Sequence, residues 1–497
     1  MASPPPTEYR VVDLGRLAFV PDTDLDLING TFGINNHGQV AFGRLPLGMG
    51  SVVTAHIWLP EASSALGLPQ GFHEISGATA PSIARDINNA GIVVGQYGNI
   101  AESGGTAFTY DAGTGVLTTF SPPGSTWSAG HGITEGTEPW ISGHALTTIP
   151  CTDQPLPETT VIHGFYARLT SPLPTPVYVT PDLSGDDDDS RAFDLIPDVF
   201  SGSLPVRVVG DTDDTVVRPS GFCLVAQTPD CRPDEDPVFW SASATVPDEL
   251  PGNVLPSKPS LIGSHARAIN TAGDVVGWAA LNEQQPCPPV AALWEANSSG
   301  AYATARIDLD DPPSVAADSH ALGLNDLDPP TIVGFNPLSN FALRWTNSGS
   351  AWSAVDLQGL IPACANANLT QAMDINDHGW IIAWGLDTAD DDREHAFLLI
   401  PIPACPSDVD RDGDVDTEDL LDLLAAWGTC PAEGVVCWAD LNNDCTVNVL
   451  DQLQLLADWG NNCDGTGSIP EDVQDCLDKF GSDIIALQSC IDAVLNN

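Results

Sequence analysis

The chain is nearly devoid of basic residues. Only 16 of its 497 residues are Lys or Arg, against 67 Asp or Glu, a formal net charge of -51; Lys258 and Lys479 are the only lysines. Such a surface repels phosphate backbones, which excludes nucleic acid as a partner and disfavours anionic membranes, and it attracts divalent cations. Long apolar runs are lacking too, so no transmembrane span and no membrane insertion are expected, and no signal peptide is legible in the opening MASPPPTEYR. What is present is a core-forming share of hydrophobic residues, 42%, which excludes disorder throughout. The high content of Gly (45) and Pro (42) suits many tight turns between short strands. Twelve cysteines, several of them symmetrically spaced, point to an oxidising compartment, and the location expected is extracellular or at the cell surface.

One phrase recurs through the first four hundred residues: an apolar residue, Asn, a small or polar pair, Gly, then an apolar strand ending in Gly. It reads Ile34-Asn35-Asn36-His37-Gly38, Ile87-Asn88-Asn89-Ala90-Gly91, Ile269-Asn270-Thr271-Ala272-Gly273 and Ile375-Asn376-Asp377-His378-Gly379, with degenerate copies at Leu324-Asn325-Asp326, Gly132-Ile133-Thr134 and Arg191-Ala192-Phe193-Asp194. Physically this is a β-hairpin: Asn and Asp tolerate turn geometry, Gly takes the position of positive φ, and β-branched residues resume the strand. A second strand with an aromatic follows most copies, as in His56-Ile57-Trp58-Leu59 and Ala342-Leu343-Arg344-Trp345. Each unit therefore predicts a four-stranded antiparallel sheet, and seven copies predict a mainly β fold with a seven-bladed propeller over residues 1–404. Arg10-Val11-Val12-Asp13-Leu14 matches the last strand of a unit and is expected to complete the final blade. On these residues the region 9–403 resembles the HAF family of extracellular repeats, named for the tripeptide present as His395-Ala396-Phe397. The resemblance implies secretion and a propeller-like fold and supplies no catalytic residues.

The clearest chemistry begins at Asp408. Asp408, Asp410, Asp412, Asp414, Asp416 and Asp419 stand at positions 1, 3, 5, 7, 9 and 12 of a twelve-residue loop, with Gly413 at position 6. Calcium wants six to eight oxygens, and alternate side chains wrap around one centre, position 7 giving its carbonyl. Val415 is expected to anchor the loop, and Leu420, Leu421, Leu424 and Trp427 form a helical stripe after it. The module repeats at an offset of 32 residues: Asp440, Asn442, Asp444, Thr446, Asn448 and Asp451 reproduce the ligand positions. Cys445 replaces the Gly at position 6, so the second site is expected to bind calcium more weakly, to distort, or to be tied by a disulfide.

Two calcium loops, each followed by a helix, make residues 405–465 resemble a type I dockerin. That family implies two bound calcium ions, a small all-α module of pseudo-twofold symmetry and docking onto a cohesin-like protein or cell-surface component. Docking in the family uses loop positions 10 and 11, here Thr417 and Glu418 in the first half and Val449 and Leu450 in the second. If the ends of the module meet, Cys405–Cys463 and Cys430–Cys437 are the symmetric bridges. Residues 466–497, opened by Ser468-Ile469-Pro470-Glu471, predict a helical hairpin that Cys476 and Cys490 could staple.

No catalytic set stands out. The sequence carries no nucleophile elbow, phosphate loop or zinc signature, and histidines recurring at equivalent strand positions, such as His265 and His320, read as structural. The acidic runs Asp186–Asp189 and Asp390–Asp392 read as solvated loops, because neither alternates like a ligand loop. The expected function is calcium-dependent attachment with the propeller as a binding or display scaffold, a glycan being a possible ligand. A polysaccharide-degrading glycoside hydrolase is the second reading and a structural surface-layer component the third.

Overall fold

A computed structural model of the chain describes residues 8–17, 32–45, 52–78, 81–98, 105–136, 138–149, 159–169, 177–178, 190–197, 206–212, 236–241, 248–250, 264–280, 289–302, 306–309, 311–312, 318–349, 351–430, 433–460 and 463. The expected helical hairpin over 466–497 and the acidic run Asp186–Asp189 lie outside them. The chain divides into two compact units: Met1–Pro5, Leu14–Gly359 and Ala367–Leu399 form one, and Pro6–Asp13, Leu360–Asn366 and Ile400–Asn497 the other.

The larger unit is a β-propeller arrangement. Six sheets are each built from four consecutive strands, and their first strands are Gly33–Ile34, Ser82–Ile87, Ser125–Ile133, Ser190–Pro197, Ser264–Ile269 and His320–Leu324. Within each of the six every pairing is antiparallel, as in the first, where Gly33 faces Ala41 and Val40 faces Trp58. The arrangement has six blades, which corrects the expected seven. These six are continuous, and a further four-stranded sheet is a composite in which Tyr9–Arg16 lies beside Arg393–Pro401, Ile381–Asp387 and Ala367–Ile375. Leu17 N donates to Glu394 O at 2.9 Å, and Arg16 makes a bidentate ion pair with Asp390, which fasten the N-terminal segment. The acidic stretch starting at Asp390 is thus anchored at its first residue rather than free.

Why these residues form these sheets is visible in the third strand of each. Trp58, Phe108, Phe165, Trp294, Trp345 and Phe397 are all fully buried, and Phe108, Phe165, Trp294 and Trp345 pack against residues of the preceding sheet. A buried aromatic of this kind removes about 150–250 Å² from water, so these six supply much of the apolar drive for stacking in their sheets. His265, Trp278 and His320 stack in sequence, with ring centroids 4.4 Å apart at both contacts.

The recurring Asn does more than make a turn. Its Oδ1 accepts turn amides within its own sheet, as Asn88 does from Ala90 N and Ile92 N. Its Nδ2 reaches the next sheet: Asn35 donates to Asn88 O (2.9 Å), Asn88 to Thr134 O (3.0 Å), Asn270 to Asn325 O (3.2 Å), Asn325 to Asn376 O (3.3 Å) and Asn376 to Asn35 O (2.9 Å). The residue after it adds a second tier, in which Asn36 N donates to Asn89 Oδ1, Asp326 N to Asp377 Oδ1 and Asp377 N to Asn36 Oδ1.

A third tier is made by buried carboxylates. Asp374 accepts Ile34 N and Ile375 N, Asp86 accepts Ile133 N and Ile87 N, and Asp194 accepts Ile269 N and Leu195 N. Each spans two sheets. The equivalent position beside Asp86 is Gly33, where a Cβ would come within 2.5 Å of the Asp86 Cα, so glycine is required by close approach. Burial pushes the Asp374 carboxyl up to about 7 and Asp194 up to about 6.

Among the described residues the smaller unit holds two α-helices, α1 (Thr417–Ala425) and α2 (Val449–Ala457), around a core of Val409, Val415, Leu423, Leu441, Val447, Leu455, Leu456 and Trp459. It is not all-α: Gly428–Thr429 and Thr446–Val447 form a two-stranded antiparallel ribbon. The ribbon arises because the segment after α1 pairs with the second loop. Its counterpart is Gly460 N donating to Val415 O at 2.8 Å, where the segment after α2 returns to the first loop.

Two expectations follow. Asn88→Ala removes donors to Thr134 O and Gly136 O and acceptors for two amides, so it should cost about 2–4 kcal/mol in urea denaturation; an unchanged midpoint would contradict the ring. An acid whose pKa is raised on folding stabilises fully below its unfolded value, and this contribution is lost as pH rises through the folded one. The stability advantage of the native chain over Asp374→Ala should accordingly shrink from about pH 5 to about pH 8, and an advantage that grows over this range would contradict the burial.

Candidate metal centre

Each acidic loop is shaped by backbone amides donating to its own carboxylates. In the first, Asp419 accepts Val409 N, Asp410 N and Asp416 N, Asp408 Oδ2 accepts Gly413 N at 3.2 Å, and Asp410 Oδ1 accepts Asp412 N at 3.1 Å. In the second, Asp451 accepts Leu441 N, Asn442 N and Asn448 N, Asp440 Oδ2 accepts Cys445 N at 2.8 Å, and Asn442 Oδ1 accepts Asp444 N at 3.1 Å. The two patterns match position for position. Asp416 and Asn448 then cap the helices, accepting Glu418 N and Leu450 N at 2.8 Å each.

This folding gathers acids. Ligand oxygens of Asp408, Asp410 and Asp419 lie within 4.8 Å of one another, and so do those of Asp440, Asp444 and Asp451. Asp408 Oδ1 is buried and has no hydrogen-bond partner, a cost unless a cation meets it. Burial raises the Asp408 carboxyl, helped by the charge of Asp419; burial also raises Asp410 and Asp440, while the charge of Asp412 chiefly raises Asp414. Like charges held this close disfavour ionisation, and a divalent ion reverses that balance. The donor set, all oxygen and mostly carboxylate, fits a hard cation. Asp412, Asp416, Asn442, Thr446 and Asn448 stand around the two clusters at their expected loop positions, with Asp412 Oδ1 accepting Asp414 N and Asp444 Oδ1 accepting Thr446 N.

The halves differ in two ways, one an expected tie at position 6 whose partner the spacing did not name and one unforeseen. Arg10, from the N-terminal strand, donates to Asp440 O at 3.0 Å and is drawn to the charges of Asp440 and Asp451, while burial lowers its pKa to about 10. Arg10 therefore brings a positive charge from the N-terminal strand to the second cluster, while the first loop carries Arg411 within itself. Nothing in the local sequence signals it, since Arg10 is 430 residues away. Cys445 is bonded to Cys364, also 81 residues distant, alongside the expected Cys405–Cys463 and Cys430–Cys437 bridges. A disulfide at position 6 was among the expected outcomes; its partner, Cys364, was not named.

The helical stripe also divides unequally. Leu456 and Trp459 are buried and Leu453 packs against the core, whereas their equivalents Leu421, Leu424 and Trp427 are 59%, 46% and 49% exposed. The core contact of α1 is Leu423 instead, with Leu420 half-buried beside it, which corrects the expected stripe. Thr417 and Glu418 are exposed at the head of this open face; Leu450 is exposed and Val449 half-buried in the other half.

No family model matches the sequence, and no curated protein matches it. Solved structures give distant likenesses. TolB from Acinetobacter baumannii is 11% identical with a TM-score of 0.30 over 73% of this chain, which spans 63% of the TolB chain. The Malassezia sympodialis allergen Mala s 1 is 9% identical with a TM-score of 0.31 over 62% of this chain and 89% of its own. A luciferin-regenerating enzyme is 8% identical with a TM-score of 0.30 over 62% of this chain and 87% of its own. At such scores these likenesses carry no argument about activity.

Peptide mapping without reductant should recover all three bridges, Cys364–Cys445 included. Recovery of Cys445 as a free thiol would contradict the arrangement of the second loop.

Proposed function

We propose that the smaller unit is a calcium-dependent docking module and that the propeller serves as a binding or display scaffold for whatever the module attaches. The observation that carries this is the pair of matched loops, each converging carboxylates on one point, with the orphaned Asp408 Oδ1 at the first. Asp408, Asp410, Asp412, Asp416 and Asp419, with the carbonyl of Asp414, hold the first ion. Asp440, Asn442, Asp444, Asn448 and Asp451, with the carbonyl of Thr446, hold the second. The second ion binds more weakly, because Asn442, Thr446 and Asn448 replace Asp and because Arg10 already contributes a positive charge there.

Docking uses one face. The open side of α1, with Leu421, Leu424 and Trp427 below Thr417 and Glu418, suits a cohesin-like protein or cell-surface component; the equivalent side of α2 is spent on the core. Apolar anchors at the centre with polar residues at the edge are the usual anatomy of such an interface. Three disulfides support a site of action outside the reducing cytosol, and among the described residues no helix is long and apolar enough to cross a membrane.

The test reads a sign. In chelator, Asp408→Asn removes a repelled charge and should raise the melting temperature of the smaller unit; in calcium it removes a ligand and should lower it. At a hundredfold excess over Kd the ion is worth about 2.7 kcal/mol, well within reach of a melt. Trp427→Asp should keep the calcium shift and lose retention on an immobilised cohesin domain. A melt indifferent to calcium would overturn the metal reading, and retention unaffected by Trp427→Asp would overturn the docking face.

A further inference from the structure

Position 6 of a calcium loop demands a left-handed backbone. Gly413 meets that demand in the first loop with φ 104°, and a Cβ built on it would touch nothing within 4 Å. Space is therefore not the reason for glycine there; backbone conformation is. In the second loop Cys445 adopts φ 65° with a side chain, a conformation that L-residues avoid.

Three contacts converge on Cys445. Its N–H donates to Asp440 Oδ2 at 2.8 Å, which aims the carboxylate at position 1 of the loop. Its carbonyl accepts Cys430 N at 3.1 Å, in the segment that follows α1. Its sulfur is bonded to Cys364, in the 3-10 turn Ala363–Ala365 that ends at Asn366 with φ 55°. Cys364 and Cys445 belong to the same compact unit, although 81 residues separate them. The first loop has no such tether: Cys405–Cys463 joins the ends of the module, and none of the loop residues 408–419 is a cysteine.

We propose that the Cys364–Cys445 disulfide is the positioning element of the second calcium site, holding by a covalent bond the left-handed turn that the first site holds with glycine. This rests on the calcium reading of the loops. The bond fixes Cys445, Cys445 N–H fixes the Asp440 carboxylate, and that carboxylate with Asp444 and Asp451 makes the site. The second site is consequently complete only in a chain that has formed this bond, whereas the first is indifferent to it.

Calorimetric titration of the full chain with calcium separates the possibilities. Cys364→Ala with Cys445→Ala keeps a side chain at position 6 and removes the tether; the second site should weaken roughly tenfold while the first is unchanged. Cys364→Ala with Cys445→Gly should recover most of that loss, because glycine adopts the turn unaided. The proposal is overturned if the first pair of changes leaves the second site at native affinity, if the glycine variant stays as weak as the alanine one, or if both variants lose the first site as well. A native chain that binds no calcium at all would instead sink the calcium reading, a distinct result.

Discussion

Carboxylate and carboxamide oxygens accepting backbone N–H groups are the interaction on which this protein depends. With 67 acids and 16 bases, most acids have no cation within the chain to meet them. The peptide amide is the donor always available, and an ionised acceptor makes such a bond roughly twice as strong as a neutral one. In the larger unit Asp86, Asp194 and Asp374 each take one amide from their own strand and one from the next sheet. In the smaller unit Asp419 and Asp451 each take three. One device closes a ring of sheets and shapes two loops.

The device has a cost that bears on where the proposed ion binds. Burial disfavours the charged form of these acids more than the donated amides favour it, so the Asp374 and Asp194 carboxyls keep their protons to higher pH than usual. Acids that satisfy one oxygen and leave the other bare are different. Asp408 gives Oδ2 to Gly413 N and leaves Oδ1 buried without a partner, beside Asp410 and Asp419. Such a group is poised for an ion, and the proposed calcium supplies what the amides do not.

Much of this was legible in the sequence, and the parts that were not have identifiable reasons. The hairpin phrase, the aromatic third strand and the N-terminal strand placed in a composite sheet follow from local pattern and from the need to cover edges. The two acidic loops follow from spacing at an offset of 32 residues, and two of the bridges from the same duplication. The second half of each Asn side chain was invisible, because Nδ2 of Asn376 meets Asn35 only after the sheets have stacked. The expected seven blades overshot the six continuous ones because the copy at Ile375-Asn376 lies in the composite sheet, while even the degenerate copies at Ile133 and Phe193 open complete sheets. Cys364 and Arg10 were missed because their partners are 81 and 430 residues away and no periodicity connects them. The α1 stripe misled for a simpler reason: Leu421, Leu424 and Trp427 match residues of α2 that pack on the core in type and spacing, and periodicity cannot tell a core face from an exposed apolar one.

Native mass spectrometry of the full, disulfide-bonded chain in calcium-containing buffer measures the central claim directly. Two calcium ions per chain are expected, the second lost first on dilution of the metal, and none in the chain carrying Asp408→Ala with Asp440→Ala. A chain that shows no calcium adduct, or adducts that survive both substitutions, would contradict it.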